Sequence, residues 1–283
     1  MAILLAAVCE TPWSPTRAQA PPRVSETSAD LPGVRVWYSD ANGGGVPVVF
    51  LHAATGSIRM WEHQLPAFAA AGYHVIAYDR RGYGRSAIDP AGVQPGTAAD
   101  DLLALVDRLR LERFHLVGTA AGGGIALDFA LSFPQRLRSL AIANAVGGVQ
   151  DEDYLELTQR IRPAPQFDAL PPDVRELGPS YRAANPAGTR HWLELVGTSR
   201  AAGPPVAQTT RNRITFASLE QIRVPTLLLT GDADLYAPPA VLRLFAARIR
   251  NSESVVVPEA GHSVFWEQPE TFNRTVLDFI RKH

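Results

Sequence analysis

Two carboxylates, Asp232 and Asp234, follow one β-rich run, and a histidine, His262, follows the next one along the chain. A carboxylate bonded to one imidazole nitrogen fixes the ring's tautomer and steadies the imidazolium that forms when the other nitrogen takes a proton. Such a pair can activate water or draw a proton from a substrate. Two further turns follow strand-like runs: His52-Ala53-Ala54-Thr55-Gly56, and the glycine-framed Gly118-Thr119-Ala120-Ala121-Gly122. Cys9 is the single cysteine, which excludes an intrachain disulfide and a cysteine-based metal site. No His/Asp/Glu cluster has ligand spacing and there is no nucleotide fingerprint, so neither a metal nor an organic cofactor is expected.

These residues need strands to hold them. Val34–Ser39, Val46–His52, His74–Asp79, Phe114–Val117, Leu140–Asn144, Thr226–Thr230 and Ser254–Val257 read as strands, with Gly43-Gly44-Gly45 as an early turn. Helical apolar spacing separates them at 61–71, 98–109, 122–131, 239–248 and 269–281, and Thr97 with Asp100 forms a capping-box pattern. The alternation predicts an α/β fold, a mostly parallel sheet with helices on both faces. In such a sheet ligands bind at the carboxyl ends of the strands, where the residues named above stand. The alternation fails over 148–216, where Pro163, Pro165, Pro171, Pro172, Pro186, Pro204 and Pro205 interrupt short helical pieces. That interval reads as an inserted helical cap. The expected organisation is therefore a leader over 1–30, a core made of 31–147 and 217–283, and a cap over 148–216.

The order and spacing of these motifs, together with Tyr78-Asp79-Arg80-Arg81-Gly82-Tyr83-Gly84-Arg85-Ser86, resemble the α/β-hydrolase superfamily, in particular its esterase, haloperoxidase-like and carbon-carbon hydrolase members. The resemblance implies a nucleophile elbow at 118–122, with Ala120 where the family carries serine. Alanine has no hydroxyl, so an acyl-enzyme cannot form there. By the same resemblance Asp234 is the acid and His262 the general base, and the backbone N–H groups of Ala121 and Ala54 form the oxyanion hole. Ala53 stands where the family has glycine and Thr119 where it often has histidine. Several departures occurring together favour a natural alanine over an engineered one. His52, Trp192, Phe265 and Trp266 are expected at an apolar substrate pocket, with His52 orienting the oxyanion loop.

The 283 residues suit one core, and 46% hydrophobic with 19% charged residues is ordinary for a globular enzyme. With 27 basic against 28 acidic residues, there is no bulk positive field to gather nucleic acid or an anionic membrane. The apolar run Ala2–Cys9 before Ala18-Gln19-Ala20 reads as an export signal, hence a periplasmic or secreted protein; a disordered leader is the alternative. No later run is long enough to span a membrane. Taken together, the expected partner is a small molecule, and oligomeric state is not legible. The expected activity is hydrolysis of a small apolar ester, lactone or ketone-type substrate by a His-Asp dyad and an oxyanion hole, or that of a serine hydrolase silenced by alanine. The alternatives are a proton-abstracting lyase or cofactor-free oxygenase on the same fold, and a ligand-binding pseudoenzyme.

Overall fold

The computed structural model describes residues 24–42, 44–88, 96–145, 148–202 and 206–283. Cys9, the Ala18-Gln19-Ala20 sequence, Gly43, Pro204 and Pro205 lie outside the described residues. The sheet opens with β1 (Val24–Leu31) and β2 (Val34–Asn42), followed by β3 (Pro47–Leu51), β4 (His74–Tyr78), the short β5 (Ala87–Ile88), β6 (Phe114–Thr119), β7 (Leu137–Ala143), β8 (Thr226–Gly231) and β9 (Ser252–Val257). Its order is β1-β2-β4-β3-β6-β7-β8-β9, with β5 paired to β2. β4, β3 and β6 to β9 run parallel, while β1, β2 and β5 pair antiparallel.

The parallel strands are apolar throughout because both sheet faces are covered. Side-chain alternation divides them between two cores. Val49, Leu51, Leu116, Leu140, Ile142 and Leu228 face one side; Val48, Phe50, Val117, Ala141, Leu227 and Leu229 face the other. The helices that cover these faces are α1 (Gln64–Ala70), α2 (Ala98–Arg108), α3 (Ala121–Ser132), α4 (Glu152–Ile161), α5 (Pro172–Glu176), α6 (Pro179–Ala184), α7 (Pro186–Gly197), α8 (Phe216–Leu219), α9 (Pro239–Arg248), α10 (Val264–Glu267) and α11 (Pro269–Ile280). The first core takes Leu102, Leu105 and Val106 from α2, Leu127 and Phe129 from α3, and Val241 and Phe245 from α9. The second takes Phe68 from α1, Trp192 and Leu195 from α7, and Phe272, Val276 and Ile280 from α11. Each such buried side chain contributes roughly 1.5–3 kcal/mol.

Thr97 caps α2 in a reciprocal capping box with Asp100, as its spacing predicts. Two differences from the sequence reading have physical reasons. The sheet starts at Val24, within the interval expected as leader, rather than at Val34: β1 is a polar edge strand in which Ala29 alone is buried, so it carries no apolar alternation to read. The helical stretch 61–71 divides into a 3-10 turn, Ile58–Trp61, and α1 from Gln64. Between β7 and β8 the described residues hold the short helices α4 to α8 and one bridge, Tyr83 to Arg200, back to the loop after β4.

Candidate active site

The candidate residues stand at the carboxyl ends of the neighbouring parallel strands β3, β6, β7, β8 and β9. At the end of β6, Ala120 has φ 50° and ψ −117°, a conformation that costs a non-glycine residue roughly 1–3 kcal/mol. Its neighbours hold it there. The Ala120 N–H donates to the Ala143 carbonyl on β7 at 2.9 Å. A Cβ on Gly122 would overlap the Leu51 carbonyl oxygen, and one on Gly118 would come within 2.5 Å of the Gly122 oxygen. The glycines of the turn thus let α3 start directly against β3. Ala121 is the first residue of α3, so its N–H is one of those a helix cannot bond internally, and it lies at the positive end of the helix dipole.

His52, at the end of β3, is fully buried. Its Nε2 accepts from the Arg80 N–H at 3.0 Å, which leaves the proton on Nδ1 to donate to the Ala53 carbonyl at 2.8 Å. Burial, with the Arg80 charge beside it, holds this imidazole well below its ordinary range. A neutral ring with both nitrogens engaged orients the Ala53–Ala54 turn and has no free nitrogen for chemistry. Arg80 braces the same turn, its Nη2 donating to the Ala53 carbonyl at 3.0 Å.

Asp234 and His262 come together from adjacent strands. His262 Nδ1 lies 2.9 Å from both Asp234 oxygens, and both side chains are buried. An ionised carboxylate can only accept, so Nδ1 carries the proton and Nε2 is left as the basic nitrogen. Asp234 Oδ1 also accepts from the N–H groups of Tyr236 at 2.7 Å and Ala237 at 2.9 Å, and Oδ2 from Asn144 Nδ2 at 3.0 Å. Burial pushes the Asp234 carboxyl up, but the His262 charge and these hydrogen bonds hold it below its ordinary value. Burial pushes the His262 imidazole down; Asp234 and, more weakly, Glu176 outweigh it and raise the imidazole.

Four residues around the pair escaped the sequence reading in their roles. Asn144, in the left-handed region at φ 52°, bonds both Asp234 and the Gly261 carbonyl, the latter at 3.1 Å. Its place at the end of β7, next to β8, is the signal that points to it. Tyr236 stacks on the His262 ring with centroids 4.4 Å apart. Glu176, at the end of α5, is buried and acts electrostatically on His262, and burial raises its carboxyl. Glu267 accepts hydrogen bonds from the backbone on both sides of His262.

Other expected site residues lie elsewhere. Trp192 is wholly buried in the second core, and Phe265 packs against Trp61 and Phe272 there. Trp266 is buried with its ring 5.3 and 5.4 Å from those of His63 and His191. With His52 also buried, these side chains are packed into the core, and Trp266 meets His191 of the 148–216 interval. The Thr119 hydroxyl is buried and unpaired among the described residues. At the start of α3 a cleft of about 470 Å³ runs from Ala121 past Ile125 to Asp128 and is bordered by Arg80, Arg81, Tyr83, Arg200 and Val206. Arg80 and Arg200 lie over the Tyr83 ring, 4.4 and 4.1 Å from its centroid. Arg81 is committed to Asp101 and the Gly33 and Pro32 carbonyls. Among the described residues no group of three or more His, Cys, Asp or Glu could hold a metal ion, and no helix is long and apolar enough to cross a membrane.

Comparison with known proteins agrees with this architecture. A 2-hydroxy-6-oxononadienedioate/2-hydroxy-6-oxononatrienedioate hydrolase of Burkholderia vietnamiensis is 30% identical over 269 residues, covering 88% of this chain and 92% of that protein. Among solved structures, a thermophilic esterase from Thermogutta terrifontis superposes with a TM-score of 0.73 at 27% identity, covering 92% of this chain and 98% of the esterase. A bromoperoxidase from Bacillus anthracis gives 0.71 at 26% identity, covering 91% of this chain and all of the other. The family model described as the alpha/beta hydrolase family matches residues 48–275, which include every strand end discussed above. The chain therefore belongs to the alpha/beta hydrolase family.

Proposed function

We propose that this protein hydrolyses a small carbonyl compound with water as the nucleophile, using His262 as general base, Asp234 as its partner and the Ala121 and Ala54 N–H groups as the oxyanion hole. The observation that carries this reading is the buried His262–Asp234 pair, doubly bonded at 2.9 Å and fully supported, beside an elbow without a hydroxyl. Ala120 presents a methyl group, so the attacking oxygen comes from water. His262 Nε2 takes a proton from water as its oxygen bonds to the carbonyl carbon. The carbonyl π electrons move to oxygen, where the two N–H groups stabilise the charge. Collapse expels the leaving group, which takes its proton from the imidazolium. An oxyanion donor of this kind contributes about 3–4 kcal/mol to the transition state.

The cleft sets the substrate class. Arg80 and Arg200 border it together with Asp128 and the apolar side chains of Ile125 and Val206, and a guanidinium suits a carboxylate. A small substrate that joins an apolar body to an acidic group suits this mixed lining, and the dioate in the name of the Burkholderia relative accords with that. The interval 148–216 serves as the cap over this cleft. A second reading, proton abstraction from an acidic C–H or O–H, draws on the same pair and is favoured by the missing hydroxyl. Deuterium incorporation into recovered substrate without cleavage distinguishes it.

The test compares the protein with Ala120→Ser and His262→Ala by stopped-flow release of nitrophenol from neutral and carboxylate-bearing acyl esters. Turnover without a burst, lowered about 10²–10⁴-fold by His262→Ala, is the expected result. A burst and turnover seen with Ala120→Ser alone would overturn the reading and make the alanine a silenced nucleophile.

A further inference from the structure

Glu267 stands at the end of α10, five residues after His262, and its carboxylate is buried. It faces no cation. Instead it accepts backbone hydrogen bonds from two separate parts of the chain. The Gly261 N–H donates to both oxygens at 3.0 Å, and the Ser263 N–H to Oε1 at 3.2 Å. The third donor is Gly178 N–H, at 2.8 Å from Oε2, which lies in the 148–216 interval two residues beyond Glu176. One carboxylate therefore grips the residues immediately before and after His262 and also the segment that brings Glu176 into the site. Burial raises this carboxyl against the pull of its three N–H donors.

The surroundings are built for this contact. A Cβ on Gly261 would overlap the Gly178 nitrogen and approach the Leu177 carbonyl carbon at 2.7 Å. A Cβ on Gly178 would come within 2.9 Å of the Gly261 nitrogen and 2.8 Å of Glu267 Oε2. Two glycines facing each other let the backbones of the interval and of the His262 loop touch, and Glu267 closes the contact. A carboxylate presents about four lone-pair sites, enough for all these donors; a neutral amide does not.

We propose that Glu267 is a positioning residue that couples the seating of the 176–178 segment to the placement of His262. The general base is held for catalysis when that segment is docked, and loosened when it lifts. The proposal rests on the reading of His262 as the base, but its structural content is measurable without a substrate.

The test uses Glu267→Gln and, as a second variant that leaves the carboxylate intact, Gly178→Ala in the full chain. Glu267→Gln keeps the shape but points an amide N–H₂ at backbone donors. Three quantities are read: amide hydrogen exchange at Gly178, Gly261 and Ser263, the NMR titration of the His262 ring, and kcat and KM on whatever ester is turned over. Asp234, Glu176, Tyr236 and Arg162 face that ring, so its titration reports any displacement against them. Glu267→Gln is expected to speed exchange at all three amides at least about tenfold and to move the titration, with kcat falling about tenfold or more and KM little changed. Gly178→Ala is expected to disturb exchange at Gly261 and Ser263 as well as at its own position. If Gly178→Ala alters the interval alone, or Glu267→Gln lowers Tm while the His262 titration and kcat stay unchanged, the coupling is refuted. Should Glu267→Gln fail to fold, Gly178→Ala decides by the same readings. If exchange and titration respond but no hydrolysis is found in the parent protein, the coupling stands and the hydrolytic reading falls.

Discussion

The elbow and the acid-base side of this site are built on opposite plans. At the elbow the backbone is constrained and the side chain is inert: Ala120 keeps φ 50° and ψ −117° while offering a methyl group. On the other side the side chains are the constrained part, with Asp234 accepting from His262, Asn144, Tyr236 and Ala237. Strain at the elbow persists without a nucleophile because Gly118 and Gly122 press the turn against Leu51 and the start of α3. The Ala121 N–H at the start of α3 is likewise a property of the backbone alone. The difference teaches that the elbow's geometry is set by its glycines and backbone contacts and does not depend on a hydroxyl at position 120.

That contrast can be broken from either side. The largest effect is expected from Gly122→Ala, because the new Cβ would overlap the Leu51 carbonyl oxygen. We expect a loss of roughly 3 kcal/mol by denaturant melts, and turnover lost through α3 rather than through any reacting group. Asn144→Ala should follow, since it removes a buried donor to an ionised carboxylate at 3.0 Å. Hydrogen bonds to charged groups are worth about 1.5–3 kcal/mol, so kcat should fall about tenfold or more with KM nearly constant.

The pH dependence sharpens the comparison without mutation. His262 must be neutral to act as base, and its pKa is raised above the ordinary 6.5 by Asp234 against the opposing effect of burial. The acid limb of kcat/KM should therefore have its midpoint above 6.5. Stability should run the other way. A raised histidine pKa contributes stability that is fully present below the unfolded-state value and is lost as pH rises through the folded one. The Tm advantage over His262→Gln should thus shrink across the same interval in which activity grows. An acid limb below the ordinary histidine value would show that the imidazole is not paired with an ionised Asp234.

The smallest effect is expected from Ala120→Gly, which relieves a positive φ and changes no functional group. A gain of about 0.5–1 kcal/mol in stability with unaltered turnover fits an elbow whose side chain is a bystander. A clear loss of activity would give the Ala120 methyl a part in holding the substrate.

Much of this was legible in the string of residues. Apolar runs such as Val48–Leu51 and Thr226–Thr230 announce strands buried on both faces, because that environment admits no alternation. Gly118, Gly122, Asp234 and Gly261-His262 follow such runs and so mark the strand ends. Local chemistry also announces the capping box of Thr97 and Asp100. What did not announce itself depends on contacts between distant segments. β1 reads as leader because an exposed edge strand can be polar along its length. Trp192, Phe265 and Trp266 suit a ligand pocket and a core equally well, since burial of an aromatic ring has no directional signature; tertiary structure placed them in the core. The arginine-bordered cleft joins residues after β4 to others beyond Ser199, and Glu267 meets Gly178 across 89 positions. The sequence by itself determined the parallel strands, their turns and the strand ends at which Asp234 and His262 stand, because these follow from short-range patterns. Which groups surround that pair, and what holds the His262 loop against the 148–216 interval, were decided by the tertiary structure, because hydrogen bonds and charge interactions act through distances that chain order does not encode.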